Sequence, residues 1–298
     1  MLVIGSRGSQ LALWQARWVG ARLQALGCAA RIEIIKTTGD RVQNVALPAV
    51  GGKGLFTKEI EDALLAGQVD LAVHSLKDLP TELPGGLVVA AVPEREDARD
   101  ALVGRRLEQL KAGARVGTGS PRRAAQLRHL RPDLVVEPLR GNVDTRLRKL
   151  DQGQHDAILL AYAGLKRLGW SDRVAEVLPP EVMCPAVGQG ALGIETRLDG
   201  PAREACAQLD DVAARAAVTA ERALLRGLGG GCQVPIGAHA RPEGGRLRLI
   251  AVVASQDGAQ LVRDSLEGSD PERLGSDLAH RLLDLGARRI LEAAVVRQ

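Results

Sequence analysis

The sequence has few aromatic residues and few cysteines. Phe, Tyr and Trp together make up 2% of the 298 residues. This scarcity argues against a nucleic-acid surface that stacks bases on aromatic rings. The cysteines lack any Cys-x-x-Cys spacing, so we expect no structural zinc site, no disulfide framework, and a reducing cytoplasm as the compartment. They are Cys28, Cys184, Cys206 and Cys232.

Long apolar runs and metal-binding patterns are also missing. No stretch of about 18 apolar residues occurs, so we expect no membrane-spanning helix. The chain enters a predicted strand at Leu2–Gly5 without a secretion signal before it. The histidines show no metal-ligand spacing, and no nucleotide-binding glycine pattern follows a strand. We therefore predict neither a metal nor a nucleotide, and we predict that His74 is a buried, hydrogen-bonded histidine.

The net charge of +4 is mild, but the basic residues cluster in Arg115–Arg148, which holds eight arginines. Within this stretch Ser120 stands before Pro121, the pattern of a helix N-cap followed by a first-turn proline. Arg122 and Arg123 would then lie on the first turn. Free backbone N–H groups at that end of a helix attract anions.

A second junction of the same kind follows, where Leu139–Asn142 leads into a predicted helix that carries Arg146. Arginine beside glycine at two strand-to-helix junctions favours an anion site, because guanidinium groups bind carboxylate and phosphate through paired hydrogen bonds. The alternative is a solvated basic helix face. So many arginines indicate a small ligand with several negative groups rather than DNA or a membrane surface.

Predicted strands and helices alternate along the chain, which indicates an α/β fold with a mostly parallel sheet. Ligands of such sheets bind beyond the carboxyl ends of the strands. Three polar segments occupy such positions: Ser6–Ser9, Ser75–Asp78 and Thr118–Arg123. Residues 36–54 are predicted to form a long loop, which is either functional or a plain connector.

Two pairs of segments resemble each other. Ile4–Ser9 parallels Val116–Ser120, and Asp70–Val73 parallels Asp156–Leu159. We therefore predict two similar α/β lobes, although convergence on one turn chemistry would give the same likeness. The predicted domains are residues 1–95 with 190–210, residues 96–189, and a small C-terminal α+β domain at 211–298.

Helical periodicity predicts which side chains of three helices face the core. In the first helix they are Leu11, Trp14, Trp18, Ala21 and Ala25. In a long helix from about Asp211 they are Val212, Ala216, Ala220, Ala223 and Leu224. In a helix begun by Asp270 and Pro271 they are Leu274, Leu278, Leu282 and Leu285.

Two residues are candidates for chemistry. Cys232 lies in Gly229–Pro235, whose glycines and proline indicate an accessible loop, although a loop cysteine can be incidental. No histidine pairs with it locally, so a protease-type nucleophile is not supported. Asp78 follows a buried strand, where a carboxylate could stabilise a developing cation and transfer protons. The alternative for Asp78 is a surface pair with Lys77 that caps a turn.

Several motifs stand in one order along the whole chain. The matching residues are Arg7, Ser9, Leu11–Gln15, Gly51–Phe56, His74–Asp78, Gly117–Arg123, Leu139–Asn142, Val187–Gly190 and Gly230–Gly237. In these motifs the chain resembles the porphobilinogen deaminase family, also called hydroxymethylbilane synthase.

The resemblance implies a three-domain protein with two lobes like those of type II periplasmic binding proteins and a small C-terminal α+β domain. It implies a dipyrromethane cofactor attached by a thioether to Cys232. Four porphobilinogen units would be added in turn, each losing ammonia, before hydrolysis releases hydroxymethylbilane for tetrapyrrole and haem biosynthesis. A cytoplasmic, monomeric transferase without a nucleic-acid or membrane partner is the corresponding expectation.

The resemblance also assigns roles to individual residues. Asp78 would hold pyrrole N–H groups, stabilise the cation left by deamination and assist proton transfer, and Phe56 would stack near the incoming ring. The residues that would bind cofactor and substrate are Arg7, Ser9, Lys53, Ser75, Lys77, Thr118, Ser120, Arg122, Arg123, Arg140, Arg146, Arg167 and Gln189.

Two other functions remain possible from the residues alone. One is a solute-binding protein without catalysis, built on the same two lobes. The missing secretion signal, the Cys232 loop and the third domain count against it. The other is a basic nucleic-acid binder, which the scarcity of aromatic residues and the lack of a recognition motif disfavour.

Overall fold

The computed structural model describes residues 1–41, 57–229 and 234–296. The strands in these ranges are β1 (Leu2–Ser6), β2 (Ala30–Ile34), β3 (Leu71–Ser75), β4 (Leu87–Ala91), β5 (Asp100–Val103), β6 (Arg115–Thr118), β7 (Val135–Pro138), β8 (Ala157–Ala161), β9 (Val174–Leu178), β10 (Leu192–Arg197), β11 (Ile236–Glu243), β12 (Arg246–Ala254) and β13 (Leu261–Gly268). The helices are α1 (Gln10–Ala25), α2 (Thr38–Arg41), α3 (Lys58–Leu65), α4 (Pro121–Leu130), α5 (Val143–Asp151), α6 (Tyr162–Arg167), α7 (Pro201–Ala207), α8 (Val212–Gly227), α9 (Pro271–Leu282) and α10 (Arg288–Val296).

The first compact unit comprises Met1–Glu96 and Gly190–Arg215. Its five-stranded sheet has the order β2-β1-β3-β10-β4. β1 is parallel to both of its neighbours, whereas β10 is antiparallel to β3 and β4. Of the five strands only β10 runs against the others, so the predicted mostly parallel sheet is confirmed. β10 follows a long excursion of the chain rather than a helical crossover from β3, so the crossover rule does not fix its direction.

The second compact unit comprises Asp97–Gln189 and Ala216–Gln298. Its five-stranded sheet has the order β7-β6-β8-β5-β9. β6 is parallel to β7 and β8, and β5 is antiparallel to β8 and β9. This is the arrangement of the first sheet, with β6 in the place of β1 and β5 in the place of β10. The two similar α/β lobes predicted from the sequence are confirmed.

The second unit also contains a separate three-stranded antiparallel sheet with the order β11-β12-β13. Its apolar face packs with α8, α9 and α10 into one core that includes Leu224, Leu249 and Leu278. The predicted fold class, two α/β lobes with a small C-terminal α+β module, is confirmed. The assignment of 211–298 as a domain of its own stays a prediction.

The buried face of α1 differs from the predicted one. The buried side chains are Ala12, Gln15, Ala16, Val19 and Leu23. Ala21 and Ala25 are exposed, and the two tryptophans are only partly buried. The Trp14 and Trp18 rings instead stack on each other, 6.5 Å apart, and Arg22 lies 3.8 Å above the Trp18 ring. Trp18 still packs against the core as a partly buried side chain, while the smaller Ala16 and Val19 are fully buried in it.

Three further predictions need correction. Val212 is 83% exposed, because it begins α8 one turn before the partly buried Ala216, and the buried Ala220, Ala223 and Leu224 follow later in the helix. Leu285 is 58% exposed, because α9 ends before it. The loop predicted for residues 36–54 contains the short helix α2, where Thr38 N donates to Glu59 Oε1 at 2.8 Å. The part beyond residue 41 lies outside the described residues.

Candidate functional site

In the first unit, the predicted binding residues gather at the carboxyl ends of β1 and β3. Arg7 directly follows β1, and Ser75 is the last residue of the neighbouring parallel strand β3. Ser9 is the N-cap of α1, and its Oγ accepts a hydrogen bond from Ala12 N at 3.3 Å. Gln15 Nε2 donates to Ser75 Oγ at 2.9 Å. α1 and β3 are therefore tied together at the place where the polar segments meet.

Asp78 lies on a single turn of 3-10 helix, Leu76–Asp78, that follows β3. Leu76 is buried and its backbone N–H donates to Ala191 O at 3.0 Å, which anchors the turn. Lys77 and Asp78 are exposed on the same turn. The buried leucine thus fixes a turn that holds the Asp78 carboxylate at the surface of the sheet edge.

Beneath this turn lies a buried group of titratable side chains. His74 Nε2 is 3.0 Å from Glu195 Oε2, so the prediction of a buried, hydrogen-bonded His74 is confirmed. Glu61 of α3 is also buried, and burial raises the pKa of its carboxyl, with the nearby charge of Glu195 adding to the rise. Sequence analysis did not identify this group.

In the second unit, the predicted helix start is confirmed. Ser120 is the N-cap of α4, its Oγ accepts from Arg123 N at 3.5 Å, and Pro121 is the first helical residue. Thr118 ends β6, and its Oγ1 accepts from Ser120 N at 3.2 Å. α4 therefore begins at the carboxyl end of β6, between the neighbouring strands β7 and β8.

Arg122 and Arg123 are both buried, and each is paired with Asp100 at the start of β5. Asp100 Oδ2 accepts from Arg122 Nη1 at 2.7 Å, and Oδ1 accepts from Arg123 Nη2 at 2.7 Å. Burial alone would raise the pKa of Asp100, but the charges of the two arginines outweigh it and lower that pKa. Sequence analysis missed Asp100, which pairs with residues 22 and 23 positions away.

The two guanidinium groups differ in whether every buried N–H donor has an acceptor. Arg122 Nη1 donates to Asp100 and to Cys184 O, yet no acceptor among the described residues lies within hydrogen-bonding distance of the buried Arg122 Nε. A buried N–H without a partner is costly, about 1–3 kcal/mol. A carboxylate is the acceptor that fits a guanidinium donor best, so a ligand that carries carboxylates suits this place.

The other predicted arginines lie at the neighbouring strand ends. Arg140 follows β7, and Arg146 is on α5, where its Nε donates to Gly141 O at 2.7 Å. Gly141 has a φ of 111°, a left-handed conformation that favours glycine, and this brings its carbonyl to Arg146. Arg167 ends α6 beyond β8 and is buried. The second unit thus places Arg122 and Arg123 after β6 and Arg140 and Arg146 after the adjacent parallel strand β7, whereas Arg167 lies at the far end of the helix that follows β8.

Gln189 is buried and its side-chain amide bonds within the protein. Nε2 donates to Ala98 O at 2.6 Å and to Asp100 Oδ1 at 2.8 Å. Oε1 accepts from Arg123 Nη2 at 3.3 Å. Gln189 therefore lies beside the arginine pair and belongs to its supporting hydrogen bonds, and its predicted role in ligand binding stays a prediction.

Three predicted site residues, Lys53, Phe56 and Cys232, lie outside the described residues. Among the other cysteines, burial raises the pKa of Cys184 and of Cys206 to about 12. Within 1–41, 57–229 and 234–296, no group of three or more His, Cys, Asp or Glu side chains could hold a metal ion. Over the same residues, no helix is both long and apolar enough to cross a membrane.

Two family models match the chain in succession. The model described as "Porphobilinogen deaminase, dipyromethane cofactor binding domain" matches residues 2–204. The model described as "Porphobilinogen deaminase, C-terminal domain" matches residues 215–284. Most of the chain is therefore accounted for by domains of one family.

Curated relatives agree over the full length. A porphobilinogen deaminase of Pelobacter propionicus is 54% identical over 304 residues, which covers 100% of this chain and 98% of that protein. The protein of the same name from Desulforudis audaxviator is 55% identical over 300 residues, covering 97% and 96%. Among solved structures, a periplasmic substrate-binding protein from Coxiella burnetii aligns with 74% of this chain and 97% of its own, at 15% identity and a TM-score of 0.44. A score of that size supports no inference about function.

Proposed function

The chain belongs to the porphobilinogen deaminase family, and we propose which of its residues carry out the reaction of that family. The protein is a transferase that condenses four porphobilinogen molecules head to tail, with loss of ammonia, into the linear tetrapyrrole hydroxymethylbilane. It does so on a dipyrromethane cofactor, which supplies the pyrrole end to which porphobilinogen is added.

The arginines of the second unit bind the carboxylates of cofactor and substrate. Each pyrrole ring carries an acetate and a propionate group, so a growing chain accumulates negative charge. Guanidinium groups that follow adjacent parallel strands meet that demand, because a planar fork binds a carboxylate through two hydrogen bonds. The residues assigned to this role are Arg122, Arg140, Arg146 and Arg167, with Arg123 as the internal partner of Asp100.

Polar side chains beside the helix starts complete the binding groups. Thr118 and Ser120 offer hydroxyls next to the N-terminus of α4, where the helix dipole favours an anion. Arg7, Ser9, Ser75 and Lys77 have the same relation to β1, α1 and β3 in the first unit. Lys53 and Phe56, which lie outside the described residues, are assigned to carboxylate binding and to stacking on the incoming ring.

Asp78 is the catalytic residue. Its carboxylate accepts hydrogen bonds from pyrrole N–H groups, stabilises the positive charge that develops when ammonia leaves, and takes part in proton transfer. An exposed carboxylate on a turn fixed by the buried Leu76 suits this role, since it faces ligand without needing a protein partner. Within the motif that begins at His74, it is the acidic residue.

Cys232 attaches the dipyrromethane through a thioether. The observation that supports carboxylate binding in the proposed function is the buried Arg122 Nε, a donor that a carboxylate-bearing ligand would satisfy. Cys184 and Cys206 are less suited to attachment, because burial raises the pKa of each thiol to about 12. The thiolate is the reactive form of cysteine.

Intact-mass measurement of the purified protein tests the assignment. We expect a mass that exceeds the sequence mass by two pyrrole units, and we expect Cys232→Ala to remove the excess. Cys28→Ala is the matched control and should keep it, since Cys28 is a half-buried thiol away from the assigned groups. A solute-binding protein without catalysis would carry no covalent adduct and would not consume porphobilinogen.

The protein is further assigned to the cytoplasm as a monomer of three domains, with residues 211–298 as the third. The separate core of β11, β12 and β13 supports the third domain, as does the break between the two family matches at residues 204 and 215. Light scattering after size-exclusion chromatography tests the monomer: the mass of a dimer would refute it.

A further inference from the structure

Asp100 and Gln189 are buried beside Arg122 and Arg123. Their side chains bond to the two arginines and to each other. Asp100 Oδ1 accepts from Arg123 Nε at 2.9 Å, from Arg123 Nη2 at 2.7 Å and from Gln189 Nε2 at 2.8 Å. Asp100 Oδ2 accepts from Arg122 Nη1 at 2.7 Å. One carboxylate therefore fixes both guanidinium groups, and a side-chain amide fixes the carboxylate.

The two arginines differ in how many of their guanidinium nitrogens bond to protein acceptors. Arg123 directs Nε and Nη2 to Asp100, Nη2 also to Gln189, and Nη1 to Leu159 O at 3.3 Å. Arg122 directs only Nη1 inward, and its Nε has no acceptor among the described residues. Arg122 Nε is thus the donor of this pair that remains for a ligand.

The backbone next to Gln189 is hydrogen-bonded to the C-terminal module. The preceding residue, Gly188, donates its backbone N–H to Glu221 Oε2 at 2.7 Å, while Glu221 Oε1 accepts from Ala240 N at 2.8 Å. Glu221 is buried on α8 and Ala240 is on β11. The C-terminal module therefore fixes the position of Gln189, and through Gln189 that of Asp100.

We propose that Asp100 and Gln189 are positioning residues that hold Arg122 with its Nε edge turned toward a ligand carboxylate, whereas Arg123 serves mainly to neutralise and orient Asp100. This inference rests on the proposed function, in which Arg122 binds a carboxylate of cofactor or substrate. It distinguishes two adjacent arginines that the sequence presents as equivalent.

Asp100→Asn tests the proposal, because asparagine keeps the size of the side chain and removes its charge. We expect the KM for porphobilinogen, per chain that carries cofactor, to rise about tenfold or more while kcat changes less, as for loss of a binding contact made before the chemical step. A folded Asp100→Asn chain that takes up no cofactor also supports the proposal, since loading needs the same carboxylate recognition. A KM within twofold of the parent would overturn it.

The matched control is Asp133→Asn, at the opposite end of α4. Arg131 Nε and Nη2 bind both Asp133 oxygens, at 2.8 and 2.7 Å, so this variant also removes a carboxylate that binds an arginine. An effect that follows from losing any arginine-bound carboxylate next to α4 would appear in both variants. We expect Asp133→Asn to keep the KM and cofactor content of the parent, and an equal rise in KM would refute a specific role for Asp100.

Gln189→Ala covers the case in which Asp100→Asn does not fold. It removes one donor to Asp100 Oδ1 and leaves the buried charges paired, and we expect a KM rise of about threefold or more. An unchanged KM in that folded variant would refute the proposal. The proposed function would instead be refuted by a parent chain that carries no dipyrromethane mass and turns over no porphobilinogen. That result differs from an active parent whose Asp100→Asn variant has an unchanged KM, which would refute only the positioning role.

Discussion

Asp70 in the first unit and Asp156 in the second occupy equivalent positions in the two lobes. Asp70 Oδ2 accepts from Val3 N at 2.8 Å, and Asp70 N donates to Val3 O at 2.8 Å. Asp156 Oδ2 accepts from Arg115 N at 2.8 Å, and Asp156 N donates to Arg115 O at 2.8 Å. Asp70 thus joins the start of β3 to β1, and Asp156 joins the start of β8 to β6, which occupies the place of β1 in the second lobe. The likeness between these segments in the sequence therefore reflects a repeated topology as well as a shared turn chemistry.

Replacement of Asp78 tests the chemical step. We expect Asp78→Ala to keep the far-UV circular dichroism and unfolding temperature of the parent, since the side chain is exposed. We expect kcat to fall about 100-fold or more, because the variant lacks the group that stabilises the developing cation and moves the proton. Steady-state turnover of porphobilinogen is the measurement. Near-normal turnover would remove Asp78 from the mechanism.

Asp100 should make the second unit sensitive to acid. The charges of Arg122 and Arg123 outweigh burial and lower its pKa in the folded state, below the ordinary value of 3.8. A group with a lowered folded pKa contributes stability that is present above its unfolded pKa and is lost as pH falls below it. We therefore expect the free energy of unfolding to decrease as pH falls below 3.8, as measured by urea titration.

Asp100→Asn should flatten that acid dependence and lower stability at pH 7 by about 3–5 kcal/mol, since two buried arginines lose their counter-charge. Asp133→Asn, whose carboxylate is exposed, should change stability at pH 7 far less. Equal stability of the two variants at pH 7 would contradict the buried ion pairs of Asp100 with Arg122 and Arg123.

Glu61 should give the stability of the first unit the opposite pH dependence. Burial raises its folded pKa above the ordinary value of 4.5. The folded chain then holds a proton that the unfolded chain has already released, so stability falls as pH rises above 4.5. We expect Glu61→Gln to raise the unfolding temperature at pH 8 and to have less effect at pH 4. Glu108→Gln, at an exposed position, is the control and should change neither.

The cysteines should differ in reactivity toward iodoacetamide. Burial raises the pKa of Cys184 and Cys206 to about 12, so at pH 8 almost no thiolate forms at either residue. We expect peptide mapping of the native protein to find alkylation at Cys28 but not at these two. In denaturant all three should react. Rapid alkylation of Cys184 in the native protein would contradict its burial.

The sequence was informative where a local pattern determines local structure. Ser120 and Pro121 predicted the start of α4, and the polar segments predicted to lie at strand ends do follow β3 and β6. Asp100 could not be found in this way, because its partners reach it through the antiparallel pairing of β5 with β8. A carboxylate at the head of the apolar segment Asp100–Val103 was the available signal.

Local patterns also failed where side-chain size decided the outcome. Helical periodicity placed Trp14 and Trp18 in the core of the first unit, but the helix approaches the sheet through Ala12, Ala16 and Val19. Alanine and valine allow a closer approach than tryptophan, and the two stacked rings are only partly buried. Periodicity counts apolar positions and does not measure how close a helix must come.

Gly275 provides a strict test of helix approach in the C-terminal module. It lies inside α9, and a Cβ on it would be 2.3 Å from Ala220 O and 2.7 Å from Leu224 N, both backbone atoms of α8. In an open helix, replacing glycine by alanine stabilises by about 1 kcal/mol. Here the added methyl group must push two helices apart, an overpacking that typically costs about 1–3 kcal/mol. We therefore expect Gly275→Ala to lower the free energy of unfolding.

Gly20→Ala is the matched control, because Gly20 also lies inside a helix. Its added Cβ would meet only the flexible end of the Ile4 side chain, at 3.4 Å. The helix propensity of alanine should then dominate, and the variant should be more stable than the parent by up to about 1 kcal/mol. Opposite signs for the two substitutions, measured by urea unfolding, would support the close contact of α9 with α8. A gain of stability in both would mean that the helices lie farther apart than their backbones indicate.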